Sequence, residues 1–201
     1  MVRFMIGWLT IFFLGGMVNG VQAHVTPNIK LISTKDALIR LLPQGKLFLK
    51  DVSLSDEQMA SLKNQGNWSS HENSYQFFVV RDNDNSLKGT AVFITEYTRH
   101  GPIVLAIGLD QDGSILGALI TDVQTEAMEW IGPLLRTNFL DKFRGLKDNC
   151  TFTLNQNWKP GTNPITKSFA LKIANAVKRS GQLFNIVFKN VVFENNRSLK
   201  H

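Results

Sequence analysis

Apolar positions along the chain follow two rhythms, helical spacing and the alternation of a half-buried strand. Ser33-Thr34-Lys35-Asp36 has capping-box form, and Leu38, Ile39, Leu41 and Leu42 follow it, which predicts a short amphipathic helix. "KLFLKDVSL" (Lys46 to Leu54) reads as a strand, and Ser55 with Gln58 opens a second helix expected to stop at Gly66. The polar stretch "NQGNWSSHENS" is then a loop. Four strands follow: Tyr75 to Asp82, Thr90 to Thr98, Ile103 to Asp110 and Ser114 to Gln124. They are separated by the polar turn Asn83 to Gly89, the break "RHGP" and the hairpin signal Asp110-Gln111-Asp112-Gly113, so they predict one meander.

After the meander, Pro133 to Phe143 reads as a helix, with the proline at a permitted early position and Gly145 just past the end. Cys150 to Leu154 reads as a short strand and "NWKPGTNP" as a turn. Ile165, Phe169, Ile173 and Val177 stand at helical spacing, so a helix is expected from Pro164 to about Ser180, stopped by Gly181. Leu183 to Phe193 fits a strand by composition and a helix by continuity. The class that results is α+β, an antiparallel sheet with helices packed on one face.

The first residues stand apart from this pattern. Arg3 supplies a small positive start, Phe4 to Val18 is almost wholly apolar, and Val21-Gln22-Ala23 has the small-x-small form of a signal peptidase site. The apolar run is shorter than the ~20 residues that cross a bilayer as a helix. Cleavage after Ala23 is therefore expected, which would leave 178 of the 201 residues, beginning at His24, in the periplasm or outside the cell. No further stretch is long and apolar enough to span a membrane. The expected organisation is a signal peptide at 1–23, a helix–strand–helix segment at 24–73, the main domain at 74–181 and a C-terminal extension at 182–201.

Charge and cysteine content narrow the partners. The formal net charge is +6, and Arg3 would leave with the signal. The Lys and Arg residues are scattered rather than interleaved with aromatics as on a nucleic-acid surface. That leaves a mild preference for anionic partners and no nucleic acid. The single cysteine, Cys150, excludes an internal disulfide. The sequence carries no Ser-His-Asp set, Walker loop or paired cysteine motif, so hydrolase and nucleotidase readings lack support. An N-terminal His24 with His71 or His100 would suit copper, but that chemistry usually sits on a disulfide-bearing β-sandwich, unlike this pattern.

Three stretches stand in a recognisable order: "RHGPIVLAIGLDQDGSILGALITDV", "TEAMEWIGPLLRTNFLDKFRG" and "GTNPITKSFALKIANAV". Together, over about Tyr75 to Arg179, they resemble the FMN-binding domain family of secreted and membrane-facing bacterial proteins. That family includes small periplasmic members and flavin-carrying subunits of sodium-pumping and related respiratory complexes. In it a hairpin precedes a Glu-containing segment and a Phe-rich helix, and a Ser-Gly-Ala-Thr-x-Ser-Ser motif opens the last helix. Here the Ser-Gly-Ala-Thr positions fall on Thr162, Asn163, Pro164 and Ile165. The threonine that some relatives esterify to FMN is thus Ile165, and the neighbouring Thr166 is turned by about 100° on a helix, so covalent attachment is not expected.

The resemblance implies noncovalent FMN and electron transfer to or from a periplasmic or membrane redox protein. Glu126 and Trp130 would then lie at the isoalloxazine ring, with His100 lining the same pocket. The residues themselves add a mechanism. A helix N-terminus offers unpaired N–H groups and partial positive charge to an anion. Thr162 or Asn163 caps it, while Thr166, Lys167 and Ser168 offer hydroxyl and ammonium donors to a phosphate. The plain alternatives are an Asn163 cap with Pro164 at the first helical position and a solvated Lys167, Trp130 as a core or rim aromatic, and Glu126 and His100 as surface turn residues. A flavin-free accessory or protein-interaction module on the same fold is the competing function.

Overall fold

The computed structural model describes residues 27–65, 72–147 and 163–190. Its strands are β1 (Asn28–Lys30), β2 (Lys46–Ser53), β3 (Ser74–Arg81), β4 (Leu87–Thr98), β5 (Gly101–Asp110) and β6 (Ile115–Gln124). Its α-helices are α1 (Thr34–Leu41), α2 (Asp56–Lys63), α3 (Met128–Arg136) and α4 (Pro164–Lys189). The six strands form one antiparallel sheet in the order β1-β6-β5-β4-β3-β2, and the four helices pack on it, an α+β architecture. The expected four-strand meander is β3 to β6. β2 extends it beside β3, and β1 extends it at the other edge, with Lys30 opposite Asp122.

The two short helices start where their caps dictate. The Ser33 hydroxyl oxygen accepts the Asp36 N–H at 3.1 Å. Ser55 accepts the Gln58 N–H at 3.2 Å, and the Gln58 side chain accepts the Ser55 N–H at 3.0 Å, a complete capping box. α2 ends at Lys63 with Asn64 as its cap, and the expected stop at Gly66 lies outside the described residues, as does the strand expected over Cys150 to Leu154.

Alternation sorts the sheet into two faces. Phe77, Val79, Val92, Ile94, Leu105, Ile107 and Ile120 are buried on one, under α3 and α4. Ala106 points the other way and packs with Ala37 and Leu41 of α1. Helices therefore cover both faces, not one as the periodicity suggested. Small residues in the sheet permit this: a Cβ on Gly108 would stand 3.0 Å from the Leu41 Cβ, so α1 lies nearly on the backbone.

Proline and glycine account for two further differences from expectation. The helix expected over Pro133 to Phe143 is instead α3, with Pro133 in its interior, followed by a separate 3₁₀ turn at Leu140–Phe143. The carbonyl that Pro133 cannot bond belongs to Glu129, which is exposed to water, and burial of Ile131 and Leu134 holds the helix through the proline. Asn138, at φ 43°, then breaks the chain away in the left-handed region. Likewise Gly181 does not stop α4, which runs on to Lys189, settles the ambiguous stretch as helix up to that residue and crosses the expected 181/182 boundary. A helical glycine costs about 1 kcal/mol, whereas burying each large apolar side chain returns about 1.5–3 kcal/mol. Leu183, Phe184 and Ile186 are all buried beyond it, and the Phe184 ring stacks on Phe188 at 5.1 Å.

One charged pair lies within this packing. Arg179 of α4, 4% exposed, meets the Glu96 carboxylate of β4, 6% exposed. Burial lowers the Arg179 pKa from its ordinary value, opposed by Tyr75 and Glu72 nearby.

Candidate functional site

The β4–β5 hairpin places the first site residues. Its strands pair without interruption from Gly89 opposite Asp110 to Thr98 opposite Gly101, which leaves Arg99 and His100 as the turn. The Thr98 hydroxyl donates to the Gly101 carbonyl at 2.7 Å and accepts the His100 N–H at 3.0 Å. Gly101 has φ 95°, a left-handed conformation that favours glycine, and a Cβ there would also require the Gln124 side chain to move. The His-Gly dipeptide thus fixes where the imidazole sits.

The chain after β6 brings Glu126 and Trp130 to that imidazole. A 3₁₀ turn at Thr125–Ala127 is tied to the sheet edge, because the Thr125 hydroxyl donates to the Pro27 carbonyl at 2.8 Å. Glu126 on this turn reaches His100, Oε1 to Nδ1, at 2.8 Å. Trp130, in the first turn of α3, has its ring centroid 5.9 Å from that of His100. Phe169 of α4 approaches the same ring at 6.2 Å.

Between the hairpin turn and the start of α4 lies a cavity of about 680 Å³, within the range that holds a drug-sized ligand. Tyr97, Thr98, Arg99 and His100 form one wall, and Pro164, Ile165, Ser168, Phe169 and Lys172 the other. Among the described residues, the lining carries two cations, Arg99 and Lys172, and no carboxylate. Lys172 is held at the wall by donating from Nζ to the Tyr97 carbonyl at 3.0 Å. Such a lining favours an anion beside an apolar, aromatic surface.

The start of α4 divides the expected phosphate contacts. Ile165 and Ser168 line the cavity. Thr166 is buried at 2% exposure, and Lys167 is exposed and outside the lining. Asn163 caps the helix, its Oδ1 accepting the Ile165 N–H at 2.8 Å, and its carbonyl accepts the Lys167 N–H at 3.1 Å. Pro164 has no N–H to give. Three of the first four helical positions therefore bring no free amide to a ligand. Thr162 lies outside the described residues.

Five lining residues were not singled out from sequence: Tyr97, Thr98, Arg99, Phe169 and Lys172. Lys172 carried a usable signal, standing one helical turn beyond Ser168 on the same face. Phe169 carried none, because its spacing marks it as core whether or not a void borders it. For a metal, no cluster of three or more His, Cys, Asp or Glu side chains exists among the described residues; His24 and His71 lie outside them. Nor, among the described residues, is any helix long and apolar enough to cross a membrane. Compared with known protein families, curated proteins and solved structures, the chain matches none.

Proposed function

We propose that the protein is a periplasmic or secreted FMN-binding protein that holds the flavin noncovalently and passes electrons to or from a respiratory or repair partner. The observation that carries this reading is the cavity itself, about 680 Å³ between the β4–β5 turn and the start of α4, whose wall residue His100 also touches Trp130 and Glu126. Of the residues expected around a flavin ring, His100 lines this space while Glu126 and Trp130 adjoin it only through His100, and of those expected at the phosphate, Ile165 and Ser168 line it. Arg99 and Lys172 supply positive charge for the phosphate, and Tyr97, Phe169 and Ile165 supply apolar surface for the ring. Bound there, a flavin would bring the redox chemistry, while the chain supplies position and electrostatics. The test is titration of FMN into the purified protein, read by quenching of flavin fluorescence. Saturable quenching is expected; no binding at high micromolar FMN would remove the proposal. Mass spectrometry of protein from its own cells should show the unmodified chain mass, since Ile165 replaces the esterified threonine.

A flavin-free accessory module remains the second reading, and one observation favours it. Asn163 and Pro164 occupy most of the amide seat that a phosphate would take at the helix start. On this reading the native protein copurifies with a protein partner and is colourless, whereas the first reading expects flavin bands in its visible spectrum.

A further inference from the structure

We propose that Glu126 and His100 work as a set that presents an unprotonated His100 Nε2 to the cavity as a hydrogen-bond acceptor, selecting ligands that offer an N–H at that point. The inference rests on the cavity being a flavin site, where the ring imide N–H is such a donor. An ionised carboxylate only accepts hydrogen bonds, so the 2.8 Å contact between Glu126 Oε1 and His100 Nδ1 places the imidazole proton on Nδ1. The other nitrogen of a neutral ring is then a lone-pair acceptor. Nδ1 faces Glu126, which does not line the cavity, while the imidazole forms part of its wall. On this proposal the ring edge bearing Nε2, opposite the Glu126 contact, is the one that meets the ligand. The ring is also held in place: Trp130 and Phe169 flank it, and the Thr98 hydroxyl fixes the His100 backbone. His100 is thereby a specificity residue, and Glu126 a positioning residue that acts through it.

Two measurements on the full chain test the set. The first is the tautomer of His100, read from long-range ¹H–¹⁵N spectra in mildly alkaline buffer, with His100→Ala identifying the signals. A proton on Nδ1 is expected, moving toward Nε2 in Glu126→Ala; a wild-type ring protonated on Nε2 overturns the proposal. The second compares FMN with N3-methyl FMN by fluorescence quenching. Wild type should prefer FMN about tenfold, the worth of one hydrogen bond. That preference should fall to near one in His100→Ala and return in His100→Gln, whose amide oxygen can accept in place of Nε2. Circular dichroism would verify that the variants fold. A contact that merely staples the turn to its neighbour would leave the preference unchanged in every variant, and that result overturns the proposal. If neither flavin binds the wild-type protein, the flavin reading fails by itself. The tautomer then decides the pair, with Nδ1 protonation upholding it and Nε2 protonation overturning it.

Discussion

α4 meets a hairpin turn at each of its ends, and the two meetings differ. At its C-terminal end lies the β5–β6 turn, whose Asp110 carboxylate accepts the Asp112 and Ser114 N–H groups at 2.8 Å each. Lys189 donates to the Asp112 carbonyl at 2.8 Å, and Gly113, at φ 81°, lies so close to the Phe184 ring that a Cβ there would stand 2.8 Å from it. That junction is filled. At the N-terminal end the same kind of junction, strand turn against helix, faces Ile165, Ser168, Phe169 and Lys172, and a cavity remains. One lysine in each place donates to a backbone carbonyl of the hairpin, so the hydrogen bonding is alike; the difference is volume. The open junction is one that its side chains do not fill.

Substitutions at matched positions separate the two ends, beginning with the largest effect. Phe184→Ala at the filled junction is expected to cost about 3–5 kcal/mol in urea denaturation, the transfer loss of a fully buried ring plus the void it leaves. Ile165→Ala at the open junction should cost about 1 kcal/mol, because that side chain is half-buried beside existing space. Equal costs would end the distinction. Next comes affinity. Lys172→Ala should weaken FMN about tenfold while leaving riboflavin, which lacks the phosphate, unchanged; Lys189→Ala should alter neither. A parallel loss for both flavins would remove Lys172 as a phosphate contact. The smallest effect is local: Asn163→Ala should lower stability by about 1 kcal/mol through loss of the cap, measured by the shift in denaturation midpoint.

Much of this architecture was legible wherever a local rule decided it. The capping residues of α1 and α2, the DQDG hairpin and the Pro164 entry to α4 are fixed by hydrogen bonds within a few residues, and the strands of the meander by alternation. The misplaced features were those where burial at a distance overrides a local breaker. Pro133 sits inside α3 because Ile131 and Leu134 are buried around it, and Gly181 is passed because Leu183 and Phe184 pack beyond it. α1 on the second face depends on small residues in β5 and β6 whose meaning emerges only once strands pair. At the site, sequence order suggested Glu126, Trp130, His100 and the start of α4. Which faces of that helix border the cavity depended on its rotation: Ser168 faces it, whereas Thr166 is buried and Lys167 exposed.

The contact between Arg179 and Glu96 has a consequence for anything that enters the cavity. A helix that slid along the sheet by one turn would travel 5.4 Å and part these two charges in an interior where a stranded ion costs several kcal/mol. α4 therefore has one seat, and its first turns stand ready rather than waiting to be drawn into position. A ligand entering this pocket would meet the helix wall already in place and be spared the entropy of assembling it.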